Sequence, residues 1–203
     1  MKAMTLATAL LFIWAVSAQA QSAGPNTYAL GDTWTLSDGR TVTVVKVDDA
    51  GTVMTGQILD CPTCRVRVDK NFLFDGVVTD ADEKPVDVTK LRGVNVGLDW
   101  KFYDWPLEPK KRWQFTANGF FQGQPQTYDV RNHVIAYEDV KTKAGTFNAF
   151  RIQRDWSVRS RFGNPFTWVT VAWWAPDVKF SVKFTTTGRG TAQDWELVSY
   201  SLK

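Results

Sequence analysis

The sequence predicts an all-β protein, a sandwich or barrel of short strands rather than alternating strands and helices. Three observations predict it. Apolar residues recur with period two along most of the chain, which is the spacing of strands buried on one face. Turn residues interrupt these runs at roughly 8–12-residue intervals. Beyond the first twenty residues no stretch carries a convincing amphipathic helical pattern.

The N-terminal segment reads as a removable secretory signal. Met1-Lys2 is followed by an apolar run from Leu6 to Val16 and then by Ser17-Ala18-Gln19-Ala20. A charged start, an apolar middle and a small-residue cleavage site are the order such signals require. The apolar run is about half of the ~20 residues that cross a bilayer. Residues 1–20 are therefore expected to be cut off after Ala20, with Gln21 as the new terminus. No Cys follows the cut and no later apolar stretch approaches membrane-spanning length, so the expected product is soluble, periplasmic or secreted, with no transmembrane segment. Residues 21–27 form a short flexible leader, and residues 28–203 form a single β-rich domain. Removing Lys2 leaves 23 Lys and Arg (24 − 1) against 21 Asp and Glu, too even a balance for a dedicated nucleic-acid binder.

The strands follow in order. Thr41 to Val47 is a β-branched run, and Arg65-Val66-Arg67-Val68 alternates over a short length. Thr79 to Arg92 is the most polar and irregular stretch, with a helical turn expected near Val88 to Leu91. It divides an N-terminal meander from a C-terminal sheet of longer strands. Tyr128, Val130, Val134 and Val140 are expected to share one face of a strand. Phe150, Ile152, Trp156 and Val158 line another, and Val178, Phe180, Val182 and Phe184 a third. Gly145 permits a tight turn ahead of the Phe147-to-Val158 strand. Pro176 lacks a backbone donor, so it belongs between the hairpin strands Trp168 to Trp174 and Val178 to Phe184.

Several short motifs carry a resemblance. They are Gly31-Asp32-Thr33-Trp34, Trp105-Pro106-Leu107 with Lys111-Arg112-Trp113, and Ala144-Gly145-Thr146-Phe147-Asn148-Ala149-Phe150-Arg151-Ile152. Trp173-Trp174-Ala175-Pro176-Asp177-Val178 with Val182-Lys183, and Glu196-Leu197-Val198-Ser199-Tyr200, complete the set. Together they resemble exported bacterial β-proteins of the domain-of-unknown-function 3108 type. In that group Trp-Tyr is more usual than Trp-Trp, and a Gly usually follows the Pro-x-Val, where this chain has Lys179. The resemblance implies a curved antiparallel sheet, an open half-barrel akin to bacterial lipoprotein-carrier folds. It implies no catalytic residues.

Candidate chemistry is sparse. Cys61-Pro62-Thr63-Cys64, read in an oxidising compartment, is expected to be a structural disulfide closing a turn. Redox activity is the rival, but C-x-x-C acquires its low thiol pKa at a helix N-terminus, and here the flanks read as strands. A structural zinc site wants four ligands, and two Cys with the single His133 do not supply them. His133 is placed on the polar side of its strand. The carboxylates Asp99, Asp104, Glu138 and Asp155 are candidates for a hydrolytic pair. No motif for nucleophilic, metalloprotease or phosphate-loop chemistry is present. No catalytic residue, metal or cofactor is therefore expected.

Arg151, Arg159 and Arg161 project to one side of their strand, and with Lys179 and Lys183 they form a candidate basic patch for phosphate-bearing head groups. Arg154 points the other way, with Trp156, and needs a partner. Glu138 is that expected partner, unless Arg154 reaches out past the sheet edge. The region from residue 21 onward carries nine Trp, chiefly to fill a thin curved core. Adjacent Trp173 and Trp174 point to opposite faces, so one leaves the main core; with Trp156 and Arg154 they are the candidate contacts for a ligand or partner. The expected function is non-enzymatic binding of a lipid-like or hydrophobic small molecule on an apolar concave face. A docking module for another envelope protein and a carbohydrate-binding module are the alternatives.

Overall fold

The computed structural model describes residues 22–57, 61–69, 71, 74–87, 96–98, 100–121, 124–160, 165–188 and 193–203. The expected signal peptide, the turn near Val88 to Leu91, and Arg161 lie outside the described residues. Five strands come first: β1 (Thr33–Leu36), β2 (Thr41–Asp48), β3 (Gly51–Thr55), β4 (Arg65–Val68) and β5 (Phe74–Thr79). The three that follow are β6 (Val96–Leu98), β7 (Arg112–Phe121) and β8 (Gln124–Thr142). The last four are β9 (Gly145–Ser160), β10 (Phe166–Ala175), β11 (Phe180–Gly188) and β12 (Trp195–Ser201). Among the described residues the only helical element is a 3-10 turn, Pro176–Val178. The protein is all-β, and the split into short early strands and long later ones is as the sequence predicts.

All the strands join one antiparallel sheet in the order β5-β4-β3-β2-β1-β12-β11-β10-β9-β8-β7-β6. Each strand therefore lies beside its neighbour in sequence, and β12 closes the circuit by pairing with β1, for example Trp34 with Tyr200. One step is missing. The two ends of the order, β5 and β6, approach within 8 Å between Cα atoms but share no ladder. The sheet is curved and open, a barrel-like meander with a single seam. Strand β12 is divided: Leu197 to Ser201 pair with β1, while Trp195 and Glu196 pair with β11.

Local rules explain the corners. Thr142 faces Gly145 across the two-residue turn that joins β8 to β9, and Gly145 takes φ 140° there. The turn at Pro176 ends on Lys179, which sits in the left-handed region at φ 58°. Gly is the residue that adopts this conformation without strain. The Lys179 ammonium reaches the buried carboxylate of Asp32 at 3.3 Å.

A bulge in β8 corrects the sequence pattern. Val134 faces Ile152, but the next pair is Ala136 with Arg151, leaving Ile135 as the extra residue. Residues directly opposite in a ladder share a face. Tyr128, Val130 and Val134 therefore lie with Ile152, whereas Val140, paired with Phe147, lies on the other face. Glu138, paired with Ala149, turns over with it. A second bulge leaves Val182 unpaired between Ser181 and Lys183, so the Val178-to-Phe184 alternation is also broken.

These faces build three clusters. One joins Trp34, Val42, Val44 and Met54 of the short strands to Val140, Ala149, Phe180 and Val182 of the long ones. The opposite face of β7 to β10 carries the other two, one around Tyr128, Trp156 and Trp168 and one around Val134, Phe150, Ile152 and Trp174. The segment between β6 and β7 lies over that face, contributing Trp100 to the first and Tyr103 and Leu107 to the second. Ala23, in the expected leader, is anchored to the same cover by a backbone bridge to Leu107.

Candidate functional site: the covered aromatic face

The face of β7 to β10 beneath residues 100–107 combines aromatic rings with buried polar groups. Its aromatic half is close-packed. Trp156 and Trp168 stack with centroids 5.2 Å apart, and Trp100 from the cover meets Tyr128 at 5.2 Å and Trp156 at 5.4 Å. Burial holds the Tyr128 hydroxyl above the usual phenol range. On the other half Trp105 meets the edge of Trp174 at 5.0 Å and stacks on Tyr103 at 5.3 Å.

The cover is not a strand or a helix. Its backbone ties are few among the described residues: Leu107 exchanges hydrogen bonds with Ala23, and just beyond it Lys110 N–H donates to the Val134 carbonyl of β8 while Val134 N–H donates to the Lys111 carbonyl. Side chains do most of the fastening. Trp105 Nε1 donates to the Asn71 carbonyl, and Trp113 Nε1 to the Lys101 carbonyl, both at 3.0 Å. Asp104 lies between Lys101 and Lys111, and hydrogen bonding from Lys101 is the main reason its carboxyl titrates below the usual range.

Arg154 stands at the centre of this face. It is only 4 % exposed, so it does not reach past the sheet edge. Nor does it meet Glu138, because the β8 bulge has turned Glu138 to the other face. Glu138 instead pairs with Arg151 at 3.4 Å and accepts from Trp173 Nε1 at 3.0 Å. One Arg154 Nη2 donates to the Phe102 carbonyl at 3.3 Å. The guanidinium lies 5.4 Å and 5.5 Å from the ring centres of Phe102 and Tyr103. Burial lowers its pKa, partly offset by the Tyr103 side chain, to which it is hydrogen-bonded. Asn132 and Thr170 flank it on β8 and β10, and Thr186 follows on β11, so a polar row crosses four strands between the two apolar clusters.

The other expected site residues are distributed as follows. Trp156 and Trp174 lie on the covered face with Arg154. Trp173 is on the opposite face, as adjacency predicts, but it packs half-buried against the first cluster beneath the Lys183 ammonium rather than standing free. Three of the described basic residues are held in ion pairs. Arg159 pairs with Asp129 at 2.9 Å, Arg151 with Glu138, and Lys179 with Asp32. Trp173 of β10 sits between Arg151 and Lys183 in the ladder.

Among the candidate carboxylates, Glu138 and Asp155 stand opposite Ala149 and Arg131 respectively. Those positions are roughly 20 Å apart along β9 at strand spacing, and Asp99 lies outside the described residues. His133 is half-buried, and desolvation lowers its pKa. Cys61 and Cys64 form the disulfide, which closes the turn between β3 and β4. None of the nine Trp of the described residues is exposed.

Two features were missed at the sequence level. One is the cover itself, whose signal was the aromatic run Trp100 to Trp105 ahead of Pro106 with no period-two pattern. The other is Asp32, fully buried, which accepts from the backbone N–H of Ala29 and of Lys203 as well as from Lys179.

No family model matches the chain, and no curated protein does. Solved structures do. The chain is similar to a candidate lipoprotein of Parabacteroides distasonis, with TM-score 0.50 and 12% identity over 89% of this chain and 100% of that one. It is also similar to a candidate exported protein with a YmcC-like fold from Bacteroides fragilis, with TM-score 0.51 and 15% identity over 88% and 99%. At these identities it is the fold that is shared, across nearly the whole length of both neighbours.

Proposed function

We propose that the protein is an exported, non-enzymatic binding protein of the cell envelope. In this proposal a lipid-like or other hydrophobic ligand binds the aromatic face of β7 to β10. The observation that carries it is the way that face is covered. An irregular segment supplies Trp100, Phe102, Tyr103, Trp105 and Leu107 where a packed strand or helix would otherwise sit. Such a cover contributes side chains without joining the ladder. An apolar ligand can take the place of those rings with little loss of backbone hydrogen bonding.

Export is supported by the N-terminal sequence pattern and the Cys61–Cys64 disulfide, and by the names of the two structural neighbours. The resemblance to the domain-of-unknown-function 3108 group belongs to the same proposal, since its lipoprotein-carrier-like sheet suits such a ligand. The carbohydrate alternative loses support, because stacking on sugar needs exposed Trp.

Native mass spectrometry of the protein purified gently from its own envelope tests the proposal. A lipid-sized adduct released on denaturation is the expected result. A clean unliganded mass, together with no quenching of Trp fluorescence by fatty-acyl probes, overturns it.

A further inference from the structure

We infer that the ligand of the covered face is a single-chain amphiphile with an anionic oxygen head, carboxylate or phosphate ester, and that Arg154 binds that head. The inference rests on the lipid-binding proposal above and specifies its ligand.

Arg154 is a guanidinium held 4 % exposed with no carboxylate paired to it among the described residues. Its Nε is buried without a hydrogen-bond partner, as are Asn132 Oδ1 beside it and Thr186 Oγ1 further along the same row. A guanidinium carries five N–H donors and a full charge. One carbonyl, one tyrosine side chain and two ring faces answer only part of that demand. Burying a cation without a counter-charge is costly, so such groups are normally paired.

Among the described residues the neighbouring carboxylates do not supply the pair. Glu138 is turned away by the β8 bulge, and Asp155, the next residue on β9, points to the opposite face. Water can satisfy Nε, but it cannot neutralise the charge. An anionic head can do both, and a bidentate carboxylate or phosphate fits the planar fork.

The surroundings specify the rest of the ligand. On one side of Arg154 along β9 lies Trp156 with its stacked partner Trp168, and on the other lie Ile152 and Phe150. An anion held at the polar row therefore has an apolar wall on either side along which one acyl chain can lie. In the present structure the Phe102 carbonyl and the Tyr103 side chain occupy the Arg154 donors. They stand where the head-group oxygens would sit, so head-group binding and lifting of the cover are one exchange.

The test compares three probes with the same chain and different heads: laurate, dodecyl phosphate and dodecanol, each titrated by Trp fluorescence against the protein as recovered from cells. Both anions are expected to bind at least about tenfold more tightly than dodecanol, the size of one charge-assisted contact of roughly 1.4 kcal/mol. The ratio between the two anions identifies the head-group source. In Arg154→Gln the anion preference is expected to collapse, with both anions falling to within about threefold of dodecanol in the same variant. Arg154→Lys is expected to keep the preference for anions.

Equal binding of all three probes by the unaltered protein overturns the inference while leaving hydrophobic binding intact. So does an anion preference that survives Arg154→Gln, which would leave Arg154 as a pin for the cover. Binding of none of the three overturns the inference and counts against the lipid-binding proposal as well. The comparison on the unaltered protein decides the matter even if Arg154→Gln does not fold.

Discussion

At the scale of single residues, the fold depends on a few buried polar groups. Asp32 gathers two backbone N–H groups and the Lys179 ammonium in a fully buried position. Asp32→Ala leaves those donors without an acceptor and is expected to cost about 3 kcal/mol. Thermal unfolding should report a fall of roughly 6–12 °C for a domain of this size. Lys179 is under two opposed demands, a left-handed backbone and an ion pair. Lys179→Gly loses the pair but removes roughly 1 kcal/mol of backbone strain, so its stability should stay within about 1 kcal/mol of the original. Lys179→Ala keeps the strain and loses the pair, so it should be the less stable of the two in urea denaturation.

At the scale of elements, legibility followed the period. Strands without bulges, such as β9, could be placed from Phe150, Ile152, Trp156 and Val158 alone, because alternation and ladder agree there. In β8 the alternation of Tyr128 and Val130 carries only to Val134, since the extra Ile135 inverts the faces beyond it. That single residue is why the alternation pairs Arg154 with Glu138 and the structure does not. The cover escaped for a different reason: it has no period to read, and its contacts with Asn71, Trp156 and Trp174 are all distant in sequence.

Two predictions belong to elements. The disulfide closes a very short loop, so Cys61→Ala with Cys64→Ala should cost about 2 kcal/mol or less, seen as a fall in Tm of no more than roughly 8 °C. The cover is fastened by Asp104 between two lysines, and the pKa of its carboxyl is depressed in the folded protein. Stability from a depressed carboxylate is fully present above the ordinary Asp value of about 4, and it is lost as pH falls through the folded value. The Tm gap between the unaltered protein and Asp104→Asn should therefore be steady from pH 7 to 5 and close below about pH 4. A gap that persists at pH 2 would show that the side chain acts by shape rather than charge.

At the scale of the whole molecule, the meander is continuous except at the β5–β6 seam, where the chain crosses without a ladder. New termini cut into that connection, with Ser22 joined to Lys203 through a flexible linker, keep the Ala23–Leu107 bridge and sever no ladder among the described strands. Such a permutant is expected to keep the β-sheet circular dichroism and Trp emission of the original. New termini in the Lys143-Ala144 turn, which split the longest hairpin, should fold far less well. Strand β12 has a further consequence, one of timing. Among the described strands it is the only one that pairs with both the short-strand half and the long-strand half, and its Ser201 meets Thr33 across a long separation in sequence. In a chain made from its N-terminus, β1 waits for nearly the whole sequence before its second neighbour exists. A topology of such distant pairing folds slowly, and the two halves of the sheet can join only once β12 has emerged.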